Sequence, residues 1–395
     1  MSRQNKKFVI GQIGCGAFGR EQHGPNALAN PHVAGFKWAC DVSEKNAQLF
    51  ADKFRAAKTT ADFKDVTEDP EVDIVCIATT HEARVPIIES AAAHGKHIFC
   101  EKPLAMTEKE CYDIIRAVRK AKVKLCVDYM RRMAPAVTAL KREWVKHSAK
   151  PKRQPWRYIE VPHDRLEEEK VTDFFVRVQD ESASYRMVHL DPFHGGGLII
   201  GEAGHWLDLS CWLFDNDRPV EVRAWGSTRM RYGIHLAFQS GNAATIVMTP
   251  NGTFDYPKEM YEIACDGALF RMEFFLENQY YGRPGAEREL FDLARDPLPK
   301  VGKEGGLSGF LKKRRASCKG TGNMKKVWDN LLADHGYIIM FNGFIDSVRN
   351  DTKTPCDEMA GYRTTMLCEL AMKSALLNQP LPVPAEKWDW YVHLG

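Results

Sequence analysis

Three glycines near the start of the chain have the spacing of a dinucleotide-binding turn. Gly14, Gly16 and Gly19 form the pattern G-x-G-x-x-G after a short apolar run at residues 8–10. A nucleotide pyrophosphate needs glycine where a side chain would block the backbone, and it binds the free N–H groups of a helix start. The sequence therefore predicts a strand, a tight turn and a helix. The expected cofactor contacts in this turn are Gly14, Gly16, Ala17, Phe18 and Gly19.

An acidic residue follows at the distance that suits the ribose of NAD. Asp41 ends the second apolar run, residues 36–40, and lies about 20 positions after Gly19. Its carboxylate can accept hydrogen bonds from the ribose hydroxyls, and it would repel the 2′-phosphate of NADP. Lys45 and Lys53 lie nearby in the sequence and keep NADP open as the less favoured alternative. The predicted cofactor is NAD.

The composition is that of an ordinary globular protein. The chain has 395 residues, enough for two domains, with a formal net charge of +3 and 44% apolar residues. This charge gives no support to nucleic-acid binding, and no run of about 18 apolar residues predicts a membrane span. The eleven cysteines are scattered, with no C-x-x-C pair, which predicts reduced, buried thiols and a cytoplasmic location.

Strand and helix signals alternate up to about residue 130. Two polar segments follow buried strands there: the first comes after the apolar run 72–78 and the second after the run 97–100. Ligands of open parallel sheets bind at the carboxyl ends of the strands. Further cofactor contacts are therefore expected at Thr79, Thr80, His81, Glu101 and Lys102. The alternation predicts an α/β fold, with a doubly wound parallel Rossmann sheet over residues 1–130.

From residue 131 onward the pattern changes to strands separated by short turns. The strand-like runs are 156–161, 174–178, 220–225, 234–238, 243–248, 261–264 and 269–275. This series predicts an α+β domain over residues 131–395 with a large, mostly antiparallel open sheet. Residues 293–325 are rich in glycine and lysine and are expected to form a long loop. Their basic run, 312–315, is interpreted as solvated rather than as a nucleic-acid patch.

One predicted helix, residues 202–214, interrupts these strands and carries side chains that can transfer protons. His205 and Asp208 lie one turn apart on it and share a face. The glycines at 195–197 would allow a ligand to approach closely. Because an imidazole titrates near neutral pH, His205 is a candidate proton acceptor. The alternative is a histidine that is satisfied within an apolar core.

Five segments, taken in order, resemble the Gfo/Idh/MocA family of NAD(P)-dependent oxidoreductases: GCGAFG, ATTHEA, AHGKHIFCEKPLAMT, DYMRRMAP and GGGLIIGEAGHWLD. The resemblance covers nearly the whole chain. It implies a Rossmann domain and a second domain whose open sheet carries the substrate and often the oligomer contact, which predicts a homodimer or homotetramer. It also implies hydride transfer between nicotinamide and a carbinol carbon of a sugar, an inositol or a related compound.

Some motif positions depart from the family pattern and indicate a less characterised branch. Many members have an aspartate four residues before the conserved-motif histidine, where this chain has Gly201 followed by Glu202. The usual proline and asparagine after the central strand are replaced by Thr80 and His81. The resemblance therefore predicts no particular substrate.

Oxidising an alcohol requires a base within hydrogen-bond reach of the hydroxyl proton. Lys102 matches the lysine of the family's EKP motif, and His205 matches the histidine of its G-x-H-x-x-D helix. We predict these two as the acid/base pair, with His205 as proton acceptor, Lys102 polarising the hydroxyl, and Asp208 orienting the imidazole or holding substrate. The alternative for Lys102 is a surface lysine before a turn-forming proline.

The remaining site predictions concern substrate and metal. The predicted substrate contacts are Lys102, Arg132, Tyr185, His189, Glu202 and His205. His189, Asp191 and His194 match no strong metal-ligand spacing, so no metal ion is expected.

Three functions stay open from the sequence alone. The first is an NAD-dependent dehydrogenase or reductase acting on a carbohydrate-like polyol. The second is a glycoside-cleaving enzyme that oxidises its substrate transiently, eliminates the substituent and reduces the product again, with His81, Tyr185 or His189 as the additional base. The third is a non-catalytic NAD-binding regulator, against which the presence of both Lys102 and His205 argues.

Overall fold

The apolar run at the start of the chain forms the central strand of a six-stranded parallel sheet. The computed structural model describes residues 6–149, 171–181, 190–191, 196–283, 285, 287–293, 299–318, 320, 325 and 332–390. The strands of this sheet are Phe8–Ile13 (β1), Val33–Cys40 (β2), Lys58–Thr60 (β3), Ile74–Ile77 (β4), His97–Cys100 (β5) and Leu125–Val127 (β6). Their order is β3-β2-β1-β4-β5-β6. The chain reverses direction across the sheet between β1 and β4, which places a crevice at their carboxyl ends.

Five helices connect these strands, and local sequence signals explain how two of them begin. They are Gly24–Ala29 (α1), Glu44–Phe54 (α2), Phe63–Thr67 (α3), Arg84–Ala93 (α4) and Glu108–Ala121 (α5). The Ser43 side chain accepts a hydrogen bond from the Asn46 N–H at the start of α2. Thr107 and Glu110 form a reciprocal capping box at the start of α5. Both caps satisfy backbone donors that a helix start leaves free.

A turn of π-helix, Gly19–His23, lies between the glycine motif and α1. The Gly24 N–H donates to the Gly19 carbonyl, five residues earlier. Pro25 follows in α1 and has no N–H to give to a carbonyl four residues before it. The wider turn is the local adjustment that such a break in the α-helical ladder requires.

The second half of the chain forms a nine-stranded sheet. Its strands are Thr172–Gln179 (β7), Pro219–Gly226 (β8), Tyr232–Phe238 (β9), Ala243–Thr249 (β10), Glu259–Cys265 (β11), Ala268–Glu273 (β12), Glu277–Tyr281 (β13), Arg288–Leu290 (β14) and Leu381–Pro382 (β15). The order is β14-β13-β12-β11-β7-β10-β9-β8-β15, and among these described strands β7 and β10 are the pair that runs parallel. The predicted mostly antiparallel sheet is confirmed. The strand predicted at 156–161 lies outside the described residues.

Helices of the second half pack on both sheets. They are Pro135–Ser148 (α6), Gly204–Leu213 (α7), Pro299–Ser317 (α8), Tyr337–Asn350 (α9), Glu358–Leu377 (α10) and Ala385–Trp388 (α11). Helix α9 packs on the parallel sheet, where the rings of Phe341 and Phe344 lie 5.1 and 5.6 Å from that of Phe99. Helix α10 packs against α5 on one side and β8 on the other. The two sheets therefore share a continuous core.

The prediction of a long loop at 293–325 is wrong over the length of α8, which has one non-helical residue at Gly306. Phe310 and Arg314 lie one turn apart and share a face. The Phe310 ring packs 5.5 Å from that of Phe274, and the Arg314 guanidinium lies over the Phe274 ring and donates to the Phe254 carbonyl oxygen at 2.6 Å. Burial of this face stabilises the helix, although its glycine- and lysine-rich composition favours a loop.

All eleven cysteines are free and buried, as the sequence predicts. Burial raises the pKa of the Cys40 and Cys100 thiols to about 12 in each case, so both stay protonated near neutral pH. Across the described part of the chain, none of the helices combines the length and the apolar character that crossing a membrane requires.

Candidate functional site

The glycine turn has the geometry that its spacing predicts. Gly14 has a φ of 87°, and a Cβ atom there would lie 2.4 Å from the Ala78 carbonyl oxygen. A Cβ atom at Gly19 would lie 2.5 Å from the Gly14 carbonyl oxygen, whereas one at Gly16 would meet nothing within 4 Å. Gly14 and Gly19 are therefore required by the fold itself. Gly16 leaves open space in which a pyrophosphate can approach the backbone.

The carboxylate of Asp41 is fixed beside this turn by backbone donors. Cys15 N–H donates to one carboxylate oxygen and Ser43 N–H to the other, each at 2.8 Å. Each oxygen keeps a further lone pair for a ribose hydroxyl. The open space at Gly16 and the fixed carboxylate together fit an NAD molecule.

The other residues predicted to contact the cofactor lie around the same edge of the sheet. Ala17 and Phe18 are exposed, and the Phe18 ring meets that of Tyr337 edge-on at 6.3 Å. Thr79 and Thr80 follow β4, and His81 begins a short 3₁₀ turn, His81–Ala83. Thr79, Thr80 and His81 place polar groups at the carboxyl end of β4.

A buried arginine that the sequence analysis did not single out joins the two loops at this edge. Arg84 is 3% exposed. Its guanidinium donates to the carbonyl oxygens of Thr79 at 3.0 Å and Glu101 at 2.8 Å, and also to that of Pro103. It therefore fixes the main chain on both sides of Lys102. A charged residue inside the otherwise apolar segment 83–88 was the available signal.

Lys102 contacts the segment that precedes α7. Its Nζ donates to the Gly201 carbonyl oxygen at 2.7 Å and to Glu202 Oε1 at 2.9 Å. Burial alone would raise the pKa of Glu202, but the charges of Lys102, Lys258 and Arg131 outweigh it and lower that pKa to about 2. Glu202 is therefore a carboxylate throughout the physiological pH range.

His205 lies in the first turn of α7 and is 4% exposed. Its ring meets that of Tyr129 edge-on at 5.9 Å, and no described residue forms a hydrogen bond with its Nδ1. Burial lowers the pKa of His205 well below its usual value, and the charges of Arg131, Lys102 and Lys258 lower it further. The imidazole is therefore neutral near pH 7 and can accept a proton.

Asp208 and Arg132 pair with each other. Arg132 Nε donates to Asp208 Oδ2 at 3.0 Å, its Nη2 donates to Oδ1, and its Nη1 donates to the Pro355 carbonyl oxygen at 2.9 Å. Both side chains are at most 5% exposed. These contacts do not support the predictions that Asp208 orients His205 or that Arg132 contacts substrate, because the partners engage the groups that those roles need. The predicted substrate contacts Tyr185 and His189 lie outside the described residues.

Comparison with known proteins agrees with this geometry. A family model described as an oxidoreductase family with an NAD-binding Rossmann fold (GFO_IDH_MocA) matches residues 8–129. An inositol 2-dehydrogenase/D-chiro-inositol 3-dehydrogenase of Lactiplantibacillus plantarum is 34% identical over 268 residues, which are 65% of this chain and 68% of that protein. The chain belongs to the Gfo/Idh/MocA oxidoreductase family. The predicted Rossmann fold and NAD cofactor are confirmed.

Other known proteins match over shorter stretches or by fold alone. The uncharacterized oxidoreductase YrbE of Bacillus subtilis is 33% identical over 136 residues, which are 34% of this chain and only 39% of that protein. The structure of levoglucosan dehydrogenase in complex with NADH has a TM-score of 0.71 at 18% identity, covering 96% of this chain and 100% of that chain. An oxidoreductase domain protein from Kribbella flavida gives the same values. At this identity the structures show a shared fold.

A second π-helical turn places an acidic side chain opposite Lys102. The turn Ile199–Ala203 directly precedes α7. A π turn accommodates one more residue than an α-helical turn. In this turn the Gly201 carbonyl and the Glu202 carboxylate both face Lys102. The acidic partner of Lys102 in this turn is therefore Glu202.

The structure adds two ion pairs that sequence reasoning missed. Lys258 Nζ lies 2.7 Å from Asp180 Oδ2. Arg131 donates to both oxygens of Glu259, at 2.8 and 2.6 Å. The charges of Lys258 and Arg131 act on both His205 and Glu202, as their effects on these two pKa values show. No local signal marks these residues, because the pairing of β7 with β11 brings them to the site.

The glycine turn yields a matched pair of variants. Gly16→Ala is expected to leave the free energy of unfolding near that of the parent chain and to weaken NAD binding, since its Cβ would occupy only the space left for the ligand. Gly14→Ala should lower the stability itself, because the backbone at positive φ and the Ala78 carbonyl both oppose a Cβ. Urea unfolding and calorimetric titration with NAD measure the two quantities. Equal loss of stability in both variants would contradict this assignment.

The Arg132–Asp208 pair is expected to support the fold. Asp208→Asn should lower the free energy of unfolding by about 3–5 kcal/mol, because it leaves a buried guanidinium uncompensated. Asp113→Asn is the control, since it breaks the exposed pair with Arg116 and should cost at most about 1 kcal/mol. Chemical denaturation measures both. If Asp208→Asn kept the parental stability and shifted the pH profile of activity, a role at His205 would be supported instead.

Proposed function

We propose that the chain is an NAD-dependent dehydrogenase that transfers a hydride between nicotinamide and a hydroxyl-bearing carbon of a sugar, an inositol or a sugar derivative. The observation that carries this proposal is the cluster of Lys102, Glu202 and His205 at the carboxyl edge of the parallel sheet, on the same edge as the glycine turn. Family members named as inositol and levoglucosan dehydrogenases support the substrate class.

The side chains have distinct parts in this reaction. Bound NAD would supply the hydride acceptor. Lys102, held by the Gly201 carbonyl oxygen and Glu202, presents its ammonium group to the substrate hydroxyl and stabilises negative charge that develops there. His205 is neutral and accepts the hydroxyl proton. Glu202 stays ionised and offsets the positive charge of this cluster.

The charges around the cluster support an uncharged substrate. Three cations act on Glu202, and each lies against a carboxylate: Lys102 and Glu202 at 2.9 Å, Lys258 and Asp180 at 2.7 Å, Arg131 and Glu259 at 2.6 Å. A phosphate or carboxylate binds best to a cation that is free to pair with it. Paired cations instead suit a polyol, whose hydroxyls can donate to the carboxylates and accept from the ammonium groups.

We also propose that the protein is a homodimer or homotetramer formed through the open sheet. Phe175 on β7, Trp225 on β8 and Val247 on β10 are between 42% and 44% exposed on one face of this sheet. Their neighbours in the strands, such as Phe174 and Ile246, are buried on the opposite face. Apolar side chains exposed across several strands favour contact with a second sheet. Light scattering of the purified protein measures this state.

The cytoplasm is the location that we propose. The support is the set of eleven free, buried cysteines, which suits a compartment where thiols stay reduced.

The central test is turnover of NAD by a panel of sugars, inositols and aryl glycosides, followed by the near-ultraviolet absorbance of NADH. Lys102→Met should lower kcat/KM by about 10²–10⁴-fold and keep NAD binding, because it removes the group that acts on the hydroxyl. Lys141→Met is the control: Lys141 also contacts one main-chain carbonyl oxygen and one carboxylate, at Trp212 and Asp215. It should keep full activity.

Two results would contradict the proposal. Full activity in Lys102→Met would remove the assigned acid/base group. Release of an aglycone without net NADH would show a glycoside-cleaving enzyme that oxidises its substrate only transiently.

The pH dependence of oxidation follows from the lowered pKa of His205. Since burial and three cations favour the neutral imidazole, it stays a proton acceptor at pH values where an ordinary histidine, with a pKa of about 6.5, is protonated. The fall of kcat/KM on acidification is therefore expected below a pH of about 6.5. Initial rates between about pH 5 and pH 9 measure it. An acid limb above pH 7 would assign the proton to another group.

A further inference from the structure

A buried cluster of three ionisable side chains lies beside Lys102 and takes no part in the proposed chemistry. It consists of His23, Glu101 and Asp128, which we call the buried triad. These residues are 2%, 6% and 2% exposed. One nitrogen of the histidine and one oxygen of each carboxyl group all lie within 4.8 Å of one another. Burying an ionisable group is unfavourable unless it is hydrogen-bonded or paired, so the contacts of the triad matter for the fold.

Each member of the triad comes from a different functional element. His23 ends the π turn that begins at the third glycine of the motif. Glu101 directly precedes Lys102, and Asp128 directly follows β6. The triad therefore connects the glycine turn, the lysine loop and the end of the neighbouring strand.

The main chain and side chain of Glu101 are both held. Its N–H donates to the Ile77 carbonyl oxygen at 3.0 Å, and its own carbonyl oxygen accepts from Arg84 at 2.8 Å. Its side-chain oxygen Oε1 lies 3.2 Å from His23 Nε2, a distance at which the ring N–H donates a hydrogen bond. The His23 ring in turn packs edge-on against Phe99 at 5.5 Å.

Burial affects the ionisation of the two carboxyl groups of the triad. Two carboxyl groups this close in a dry environment do not both ionise. Burial raises the pKa of Asp128 well above its usual value, and the negative charge of Glu101 raises it further. The protonated form of Asp128 is therefore favoured, and the described residues form no hydrogen bond with its Oδ1. Within the triad, the hydrogen bond to Glu101 comes from His23.

We propose that His23 is a positioning residue that holds the Glu101 side chain and, through the adjacent peptide, keeps Lys102 aligned with Glu202. This inference rests on the proposed function, because that function gives the alignment its purpose. The glycine turn and the lysine loop are then joined by a side-chain contact and move as one unit. A cofactor bound at the glycine turn would meet a lysine that is already in place.

The test measures the position of Lys102 without using catalysis. The purified chain is acylated with an N-hydroxysuccinimide ester, and the rate of modification of each lysine is followed by peptide mass spectrometry. His23→Leu should raise the acylation rate of Lys102 by about fivefold, the effect of losing one ordinary hydrogen bond. His23→Gln retains an N–H donor in nearly the same place and should leave the rate near that of the parent chain.

Lys96 is the internal control for folding. It is 5% exposed, and its Nζ donates to the carbonyl oxygens of Asp69 and Val72 at 2.6 and 2.8 Å. Its acylation should stay slow in every variant. If His23→Leu exposes Lys96, His23→Asn replaces it, because the shorter polar side chain cannot reach Glu101 and should also release Lys102.

Three outcomes would overturn the inference. The first is an unchanged Lys102 rate in all variants. The second is equal acceleration in His23→Leu and in His23→Gln while Lys96 stays protected. The third is a stoichiometric divalent metal in the purified chain that is lost in His23→Gln, since one imidazole and two carboxylates could also bind zinc. Failure of the proposed dehydrogenase function would appear separately, as absence of turnover in the parent chain with the acylation pattern intact.

Discussion

The ion pair between Lys102 and Glu202 is the interaction on which the site depends. The lysine follows a strand of the parallel sheet, and the glutamate precedes a helix of the second half, so the pair forms only when the two halves pack together. Two local structural features hold these groups in contact with each other. Arg84 fixes the carbonyl groups on either side of Lys102, and the π turn before α7 turns Glu202 and the Gly201 carbonyl toward it. The packing of the two halves therefore forms the contact that the proposed chemistry uses.

Two consecutive arginines illustrate how the surroundings of this pair are built. Arg131 and Arg132 are both buried, and they pair with Glu259 and Asp208 respectively. Burying a charge is unfavourable unless it is paired and hydrogen-bonded, and both arginines meet that condition bidentately. Their partners come from different elements, a strand of the second sheet and helix α7. The short segment after β6 is therefore attached to both, which fixes the second domain against the first.

The sequence predicted those parts of the structure that local patterns encode. The glycine spacing, the strand ends and the periodic helices predict the Rossmann sheet, which the structure confirms. The roles of Asp41, Lys102 and His205 stay predictions. The contacts of Asp208 and Arg132 do not support the roles predicted for them, because a carboxylate one turn from a histidine has the same pattern whether it faces the imidazole or an arginine from another segment. No sequence pattern marks Lys258 and Glu259, which approach the site through strand pairing. The sequence does not predict helix α8, because its glycines lower its intrinsic helix propensity. Packing against Phe274 outweighs that low propensity.

The proposed proton transfer requires a carboxylate that offsets the positive charge formed on His205, and Glu202 is that carboxylate. His205 is neutral because three cations and burial oppose its charge, so a proton that it accepts from a substrate makes an imidazolium in unfavourable surroundings. The charges of Arg131 and Lys258 are already offset by Glu259 and Asp180. Glu202 is then the carboxylate that must offset both Lys102 and the imidazolium, and its strongly lowered pKa keeps it ionised for that purpose. The carboxylate of Glu202 therefore supplies the negative charge that the proposed proton transfer needs.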